Sequence, residues 1–228
     1  MIRNLKILFS VALALGAFGA TAAGAHAADE FHCSVNPCRG TLKPDGAGKS
    51  AHQVWILENE ATTESLSMTC EGMTGESEAV GNVFVELTLF NVAYQNCTAN
   101  GAVGILVFMN GCDYKFGSAG GRADEAKVKL ECPTGKKVEI KFGTCVISIS
   151  GGFESSGVGY TTIGTSPTRE VTITVNHAII PASNITVSGT KAACLINHEQ
   201  SLFATNTTGN VILTGETPAG VMADAWYE

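Results

Sequence analysis

Apolar and polar side chains alternate with a period of two along most of this chain, and that alternation constrains the fold more than any other feature. Leu66, Met68 and Cys70 alternate with Ser65, Ser67 and Thr69, and Val83, Val85, Leu87 and Leu89 with Phe84, Glu86 and Thr88. Val128, Leu130 and Cys132 alternate with Lys127, Lys129 and Glu131, then Val138, Ile140 and Phe142 with Glu139 and Lys141. Successive side chains of a strand point to opposite faces, so this period marks half-buried β-strands. Helical spacing is nearly absent, apart from a turn expected around Ala192 to Gln200. Further strands are expected at Gln53 to Glu58, Thr144 to Ser150, Gly157 to Ile163, Arg169 to Asn176, Asn184 to Ser188, Asn210 to Gly215 and Val221 to Tyr227. About twelve short strands with regular turn signals predict an all-β fold, a disulfide-stapled antiparallel β-sandwich built as one large or two small sandwiches.

Turn chemistry suggests how those strands connect. Asn100-Gly101 and Asn110-Gly111 each separate apolar runs, and Asn-Gly favours a tight hairpin because both central residues need positive φ. The expected result is a three-stranded meander of Val83 to Cys97, Ala102 to Met109 and Cys112 to Phe116. Pairing outward from the turns sets Tyr94 and Tyr114 on either side of Val107, and Asn96 and Phe116 on either side of Ile105. Val92, Tyr94, Ile105, Val107, Cys112, Tyr114 and Phe116 then form a core face. Leu106, Phe108, Gln95, Cys97, Asp113 and Lys115 lie opposite. The apolar phase changes parity at Phe90-Asn91, which implies a bulge there. Cys132-Pro133-Thr134-Gly135 reads as the turn of a further hairpin, with Lys127, Lys129, Lys136, Lys137 and Lys141 on its wet side. Ser118 to Glu125, rich in glycine and charge, is the best candidate boundary within the chain.

Residues 1–27 read as a secretory signal peptide, with Arg3 and Lys6 before an apolar run from Ile7 to Ala20 and an Ala25-His26-Ala27 cleavage site. The secreted β domain is expected to be residues 28–228. Removing Arg3 and Lys6 leaves 12 of the 14 basic residues against 21 acidic ones, a formal charge of −9. Nucleic acid and anionic membrane are poor partners on that balance, and no nucleic-acid partner is expected. Few aromatic residues and a terminal Glu228 argue against a lipid-facing barrel, and no stable membrane insertion is expected once the signal is removed.

All eight cysteines lie beyond the signal: Cys33, Cys38, Cys70, Cys97, Cys112, Cys132, Cys145 and Cys194. An even number in an exported chain without a C-x-x-C reads as a disulfide framework rather than a metal site. Cys33 and Cys38 can close a small loop containing Pro37. Cys97 with Cys112 is excluded, because the meander sets them at opposite ends and on opposite faces.

No motif carries a reaction. Gly46 to Ser50 lacks the first glycine and the helix of a phosphate-binding loop. His32, His52, His177 and His198 are scattered, and Asn96, Asn184 and Asn206 open glycosylation triplets at the frequency expected by chance. Glu58, Glu60 and Glu64, then Glu71, Glu76 and Glu78, cluster in loops and are read as solvated charge, although a carboxylate pair is what a glycosidase requires. No catalytic, metal or cofactor-binding residue is assigned. Trp55, Trp226 and Tyr227 are the aromatic candidates for sugar or protein contact, with core packing the competing role for Trp55.

Tyr94 followed by Cys97, then Gly111-Cys112-Asp113-Tyr114, Glu131-Cys132-Pro133 and Thr144-Cys145-Val146-Ile147, resemble exported, cysteine-containing β-sheet proteins of unknown function that occur in multiple copies in some soil bacteria. The resemblance covers about residues 66–194 and implies an extracellular, β-rich protein; it brings no catalytic residue. The Cys33 and Cys38 pair departs from that pattern. The expected function is a secreted, non-enzymatic module at the cell exterior, structural or binding an extracellular glycan or protein. The alternative is an extracellular hydrolase using a carboxylate pair.

Overall fold

The computed structural model describes residues 29–44, 53–59, 61–62, 64–78, 81–101, 103–117, 126–198 and 202–228. The signal peptide, the Gly46 to Ser50 loop, His52, Glu60 and the Ser118 to Glu125 stretch lie outside the described residues. In chain order the strands begin with β1 Phe31–Cys33, β2 Arg39–Pro44, β3 Gln53–Asn59, β4 Ser65–Cys70, β5 Gly72–Ser77, β6 Val83–Phe84 and β7 Glu86–Gln95. There follow β8 Cys97–Ala99, β9 Val103–Phe108, β10 Asp113–Gly117, β11 Ala126–Glu131, β12 Lys137–Phe142, β13 Cys145–Ser150 and β14 Phe153–Ile163. The last are β15 Glu170–Val175, β16 Ala178–Ile180, β17 Ile185–Ser188, β18 Leu202–Glu216, β19 Met222–Ala223 and β20 Ala225–Tyr227. A 3₁₀ turn at Ala182–Asn184 and one helical turn, α1 at Lys191–Cys194, complete the described elements.

The fold is all-β, and every ladder among the described residues is antiparallel. The strands β2, β5, β7, β10, β11, β14, β15 and β18 pair in that order, and β18 returns to β2, so they close a ring. A second wall runs β16-β18-β3-β4-β8-β9-β12-β13-β17. Strand β18 serves both, pairing with β3 and β16 through its first half and with β15 and β2 through its second. Its register against β3 shifts between Asn206 and Thr208. The sheets are therefore barrel-like rather than a clear sandwich.

Between β3 and β17, with β6 of the end sheet set aside, the chain lays two strands in the second wall, then two in the ring, and repeats. This corrects the expected meander. Asn110-Gly111 does not turn β9 back onto β10, because β9 pairs with β8 and β12 while β10 pairs with β7 and β11. Likewise the turn after Cys132, in which Lys136 N donates to Pro133 O at 2.8 Å, carries the chain from β11 in the ring to β12 in the wall. Residues in left-handed conformation stand at these crossovers: Asn96, Asn110, Gly111, Gly135, Gly152 and His177. A tight turn sets the local direction of the chain, and the neighbouring strand is set by burial elsewhere.

Asn100-Gly101 does form a hairpin, with a register one residue away from the expected one. Ala99 pairs with Val103 and Cys97 with Ile105, with Asn100 and Gly101 between them in left-handed conformation. A one-residue slip moves a side chain to the other face, and Cys97, expected on the far face, is buried at 6% exposure. The break at Asn96, with φ 49°, hid that phase. The remaining core face is as expected: Val92, Ile105, Cys112 and Phe116 are buried, and Tyr94, Val107 and Tyr114 pack against them. The bulge in β7 is also present. The β5 register shifts between Thr74 and Glu76, opposite Ala93 and Phe90, and Asn91 has φ 51°.

Alternation fills the ring. Leu42, Leu87, Leu89, Val171, Ile173 and Val211 point inward and are almost fully buried, each burial worth about 1.5–3 kcal/mol. The short sheet β6-β1-β20 covers one end, where Phe31 meets Phe84, Tyr160 and Tyr227. Outward positions carry charge: Lys43 pairs with Glu170, Lys127 with Glu154 at 2.7 Å and Lys115 with Glu131 at 2.9 Å. Apolar inside and charged outside is the reverse of a lipid-facing barrel, and among the described residues no helix is long and apolar enough to cross a membrane. The lysine cluster is solvent-facing as expected, with Lys129 on Glu131 and Lys141 on Glu139.

Four disulfides join Cys33 to Cys38, Cys70 to Cys97, Cys112 to Cys132 and Cys145 to Cys194, so all eight cysteines are oxidised. Cys33–Cys38 is the expected small loop, and Cys97 and Cys112 are unbridged to each other as expected. Cys70–Cys97 and Cys112–Cys132 each tie two neighbouring crossovers together. Such a framework belongs to an oxidising compartment.

Candidate functional site

The outer face of β9, β12, β13 and β17 presents two rows of side chains that follow directly from strand register. One row is Leu106, Lys141, Val146 and Ser188; the other is Phe108, Glu139, Ser148 and Thr186. Leu106 is 64% exposed and Phe108 41%. The Lys141 ammonium lies 5.1 Å from the Phe108 ring centre, within reach of a cation–π contact. The face is thus apolar at the β9 side, charged in the middle and hydroxylated at the β17 side. Sugars and protein backbones are both contacted by such a mixture, an aromatic ring for apolar surface and hydroxyls for hydrogen bonds.

A cleft of about 300 Å³ opens on the ring's outer surface, lined by Ser77, Glu78, Glu86, Thr88, Asp113 and Lys115 among others. Lys115 Nζ lies 3.6 Å from Glu86 Oε1 and 2.9 Å from Glu131 Oε2. Hydrogen bonds from Lys129 and then Lys115 hold the Glu131 carboxyl below its usual range. Burial, followed by the negative charge of Glu131, pushes Asp113 above its usual range. Two carboxyls driven apart in this way are an acid–base signature. Here, however, they are direct cross-strand partners on β10 and β11, side by side on one surface. Glycoside hydrolysis needs them facing each other across roughly 5–9.5 Å of substrate.

The carboxylates singled out in the sequence are dispersed. Glu64 binds Lys191 and accepts from Asn197 N at 2.9 Å, which fastens the start of β4 to the α1 region. The Lys191 hydrogen bond, then the Asn197 one, lower its carboxyl. Glu71 accepts from Asn96 Nδ2 at 2.8 Å, and Glu76 lies 3.9 Å from Arg39. Glu58 sits on β3, paired in register with Phe203 and Ser65. Among the described residues of this set, Glu78 alone lines the cleft. The sequence reading missed Glu86, Asp113, Lys115 and Glu131 as a group, because β10 had to be paired with β11 across residues 118–125 before they met.

The described histidines and the aromatic candidates make contacts within the fold. His32 stacks on Trp226, whose ring also lies 3.9 Å from the Arg169 guanidinium. That arginine is anchored by buried Asp224, which accepts from Arg169 N at 2.7 Å. Burial raises Asp224, but the Arg169 backbone bond and the bonds from Ser166 and Arg169 outweigh it and lower its carboxyl overall. Tyr227 packs on Phe31 and Tyr160, and Trp55 faces the interior. His177 occupies the β15–β16 corner, and His198 Nδ1 is 3.4 Å from Ile196 O. Asn206 is fully buried. Comparison of the chain with protein-family models, with curated proteins and with solved structures found no match.

Proposed function

We propose that this is an exported bacterial protein, delivered by its N-terminal signal peptide, that acts outside the cell as a non-enzymatic binding module for a glycan or another protein. The outer face of β9, β12, β13 and β17 supports this reading. It sets exposed Leu106 and Phe108 beside Lys141 and a hydroxylated strand, on a wall stapled at Cys70–Cys97 and Cys145–Cys194. A glycan array and a pull-down from culture supernatant, run with the oxidised protein of residues 28–228, test it. Binding that falls at least tenfold in Phe108→Ser/Leu106→Ser, with an unchanged melting temperature, is the expected outcome. Partners retained in full by that variant would remove the face from consideration.

A second reading, an extracellular hydrolase, is favoured by one observation, a cleft of about 300 Å³ lined by Asp113, Glu78, Glu86 and Lys115. A glycosidase screen of the native protein and Asp113→Asn decides between the two. Loss of a general acid lowers a rate by a factor of about 10² or more, so turnover abolished in a folded Asp113→Asn variant would establish the hydrolase.

A further inference from the structure

The outer face of β9, β12, β13 and β17 is complementary to itself. Its two rows run side by side across the strands, with Leu106 beside Phe108 on β9 and Lys141 beside Glu139 on β12. A two-fold axis lying between the rows and parallel to them turns one copy over onto another, so that each row faces the opposite row of the second copy. Leu106 then stands over Phe108, and Lys141 over Glu139, in both directions. On the other two strands Val146 stands over Ser148, and Ser188 over Thr186. The single operation sets apolar on apolar at β9, charge on opposite charge at β12 and hydroxyl on hydroxyl at β17. Such self-complementarity is what a symmetric dimer interface requires.

The charges decide between the possible arrangements. Within one chain Lys141 Nζ already lies 2.9 Å from Glu139 Oε2, and both side chains remain partly exposed. Two such pairs laid head to tail give every charge two opposite neighbours, with like charges only on the diagonals. Covering the face therefore leaves no ion without a partner. Lys137, the next outward position along β12, comes over Gly143 at the far end of the facing strand and meets no like charge. The other axis available in the plane of the face runs along the strands, between β12 and β13. It would lay Leu106 over Ser188 and Lys141 over Val146, drying each charge against an uncharged neighbour, which is costly.

From this complementarity we infer that the occupant of the face is a second copy of this chain, packed as a symmetric dimer with strands antiparallel across the interface. The inference rests on the reading of this face as a binding surface and commits it to one partner. Strand geometry sets the size of the contact. Four strands about 4.8 Å apart, with rows about 6.8 Å apart, cover roughly 260 Å² on each copy. A standard stable complex buries about 800 Å² per partner. The dimer is accordingly weak and exchanging, with a dissociation constant on the order of 10⁻⁴ to 10⁻³ M.

Sedimentation velocity of the oxidised protein of residues 28–228, from about 10 μM to about 1 mM, tests it. The native protein should move from monomer toward dimer across that range. Lys141→Glu and Glu139→Lys should each weaken association about tenfold or more, because each sets like charges over one another. An equimolar mixture of the two variants should associate about tenfold or more tightly than either alone, since every facing pair in the mixed dimer is of opposite sign. Each variant carries the same repulsion within its own chain whether alone or mixed, so the recovery reports only contact between chains. The inference is overturned by a native protein that stays monomeric throughout, by charge variants that associate as the native protein does, or by a mixture no tighter than its components. A monomeric native protein whose glycan or supernatant partner is still lost in Phe108→Ser/Leu106→Ser overturns the second copy as occupant while leaving the face a binding surface.

Discussion

Asn100-Gly101 and Asn110-Gly111 adopt nearly the same backbone, with φ of 48° and 71° at the first and 53° and 82° at the second, yet they do different things. The first reverses β8 into β9 within one wall. The second takes the chain out of that wall and into the ring. Each asparagine side chain is tied to a strand other than the ones it joins: Asn100 Oδ1 accepts from Ser67 N at 3.1 Å, and Asn110 Nδ2 donates to Lys137 O at 2.9 Å. The two turns are equivalent as local chemistry and opposite as topology. What separates them is the ladder that follows. Strand β9 finds β8 beside it, whereas β10 finds five partners on β11 and four on β7.

The largest expected contrast lies in the disulfides next to these turns. The ladder between β4 and β8 has only Met68 with Ala99 and Thr69 with Thr98, so Cys70–Cys97 is the main tie there. Cys112–Cys132 sits beside the longer β10–β11 ladder. Replacing Cys70 and Cys97 together by alanine should cost about 2–5 kcal/mol in urea denaturation, and replacing Cys112 and Cys132 should fall at the low end of that range. The reverse order would mean that ladder length does not govern these staples.

Smaller, and expected to be equal, are the glycine substitutions. Gly101→Ala meets nothing within 4 Å, and Gly111→Ala meets only Pro133 Cγ at 3.7 Å. Each should therefore cost only the left-handed backbone penalty, about 1–2 kcal/mol. A markedly larger loss at Gly111, by the same denaturation, would show that the crossover is strained by the strands it connects.

Asp113, just after the second turn, gives the smallest effect and sharpens the comparison by pH. Its carboxyl is raised in the fold, first by burial and then by Glu131. A raised carboxyl favours the protonated native state, so its contribution is present below the unfolded Asp range and is lost as pH rises through the folded value. Asp113→Asn should accordingly melt higher than the native protein at pH 7, with the difference closing in acid below the ordinary Asp range. An equal difference at both pH values would break the assignment.

Most strands were legible because alternation is a property of one strand at a time, whereas β1, β2, β5, β16 and the first half of β18 were not read. Leu87 and Leu89, the parity change at Asn91 and then Val92 can be read without a partner, and so can the outward placement of Leu106 and Phe108. The partners were not legible, because the ring and the second wall both have apolar interiors and a strand shows the same pattern in either. Tyr94 and Tyr114 illustrate this: both face the core as expected, but they meet hydroxyl to hydroxyl from adjacent ring strands instead of flanking Val107. Cys97 was misplaced because its phase depended on a register across Asn96. The Asp113 and Glu131 pair was missed for a related reason, since the two belong to separate runs that only pairing brings together.

Strand β18 has a consequence for the order of events in the life of the chain. Residues 202–216 are needed to join β15 to β2, and Thr214 reaches back to Thr41 O over a separation of 173 residues. A polypeptide emerging N-terminus first therefore presents almost all of its strands before the ring has any means of closing. The halves of Cys70–Cys97 and Cys112–Cys132 are only 27 and 20 residues apart, so neither cross-link needs residues 202–216 to be in place.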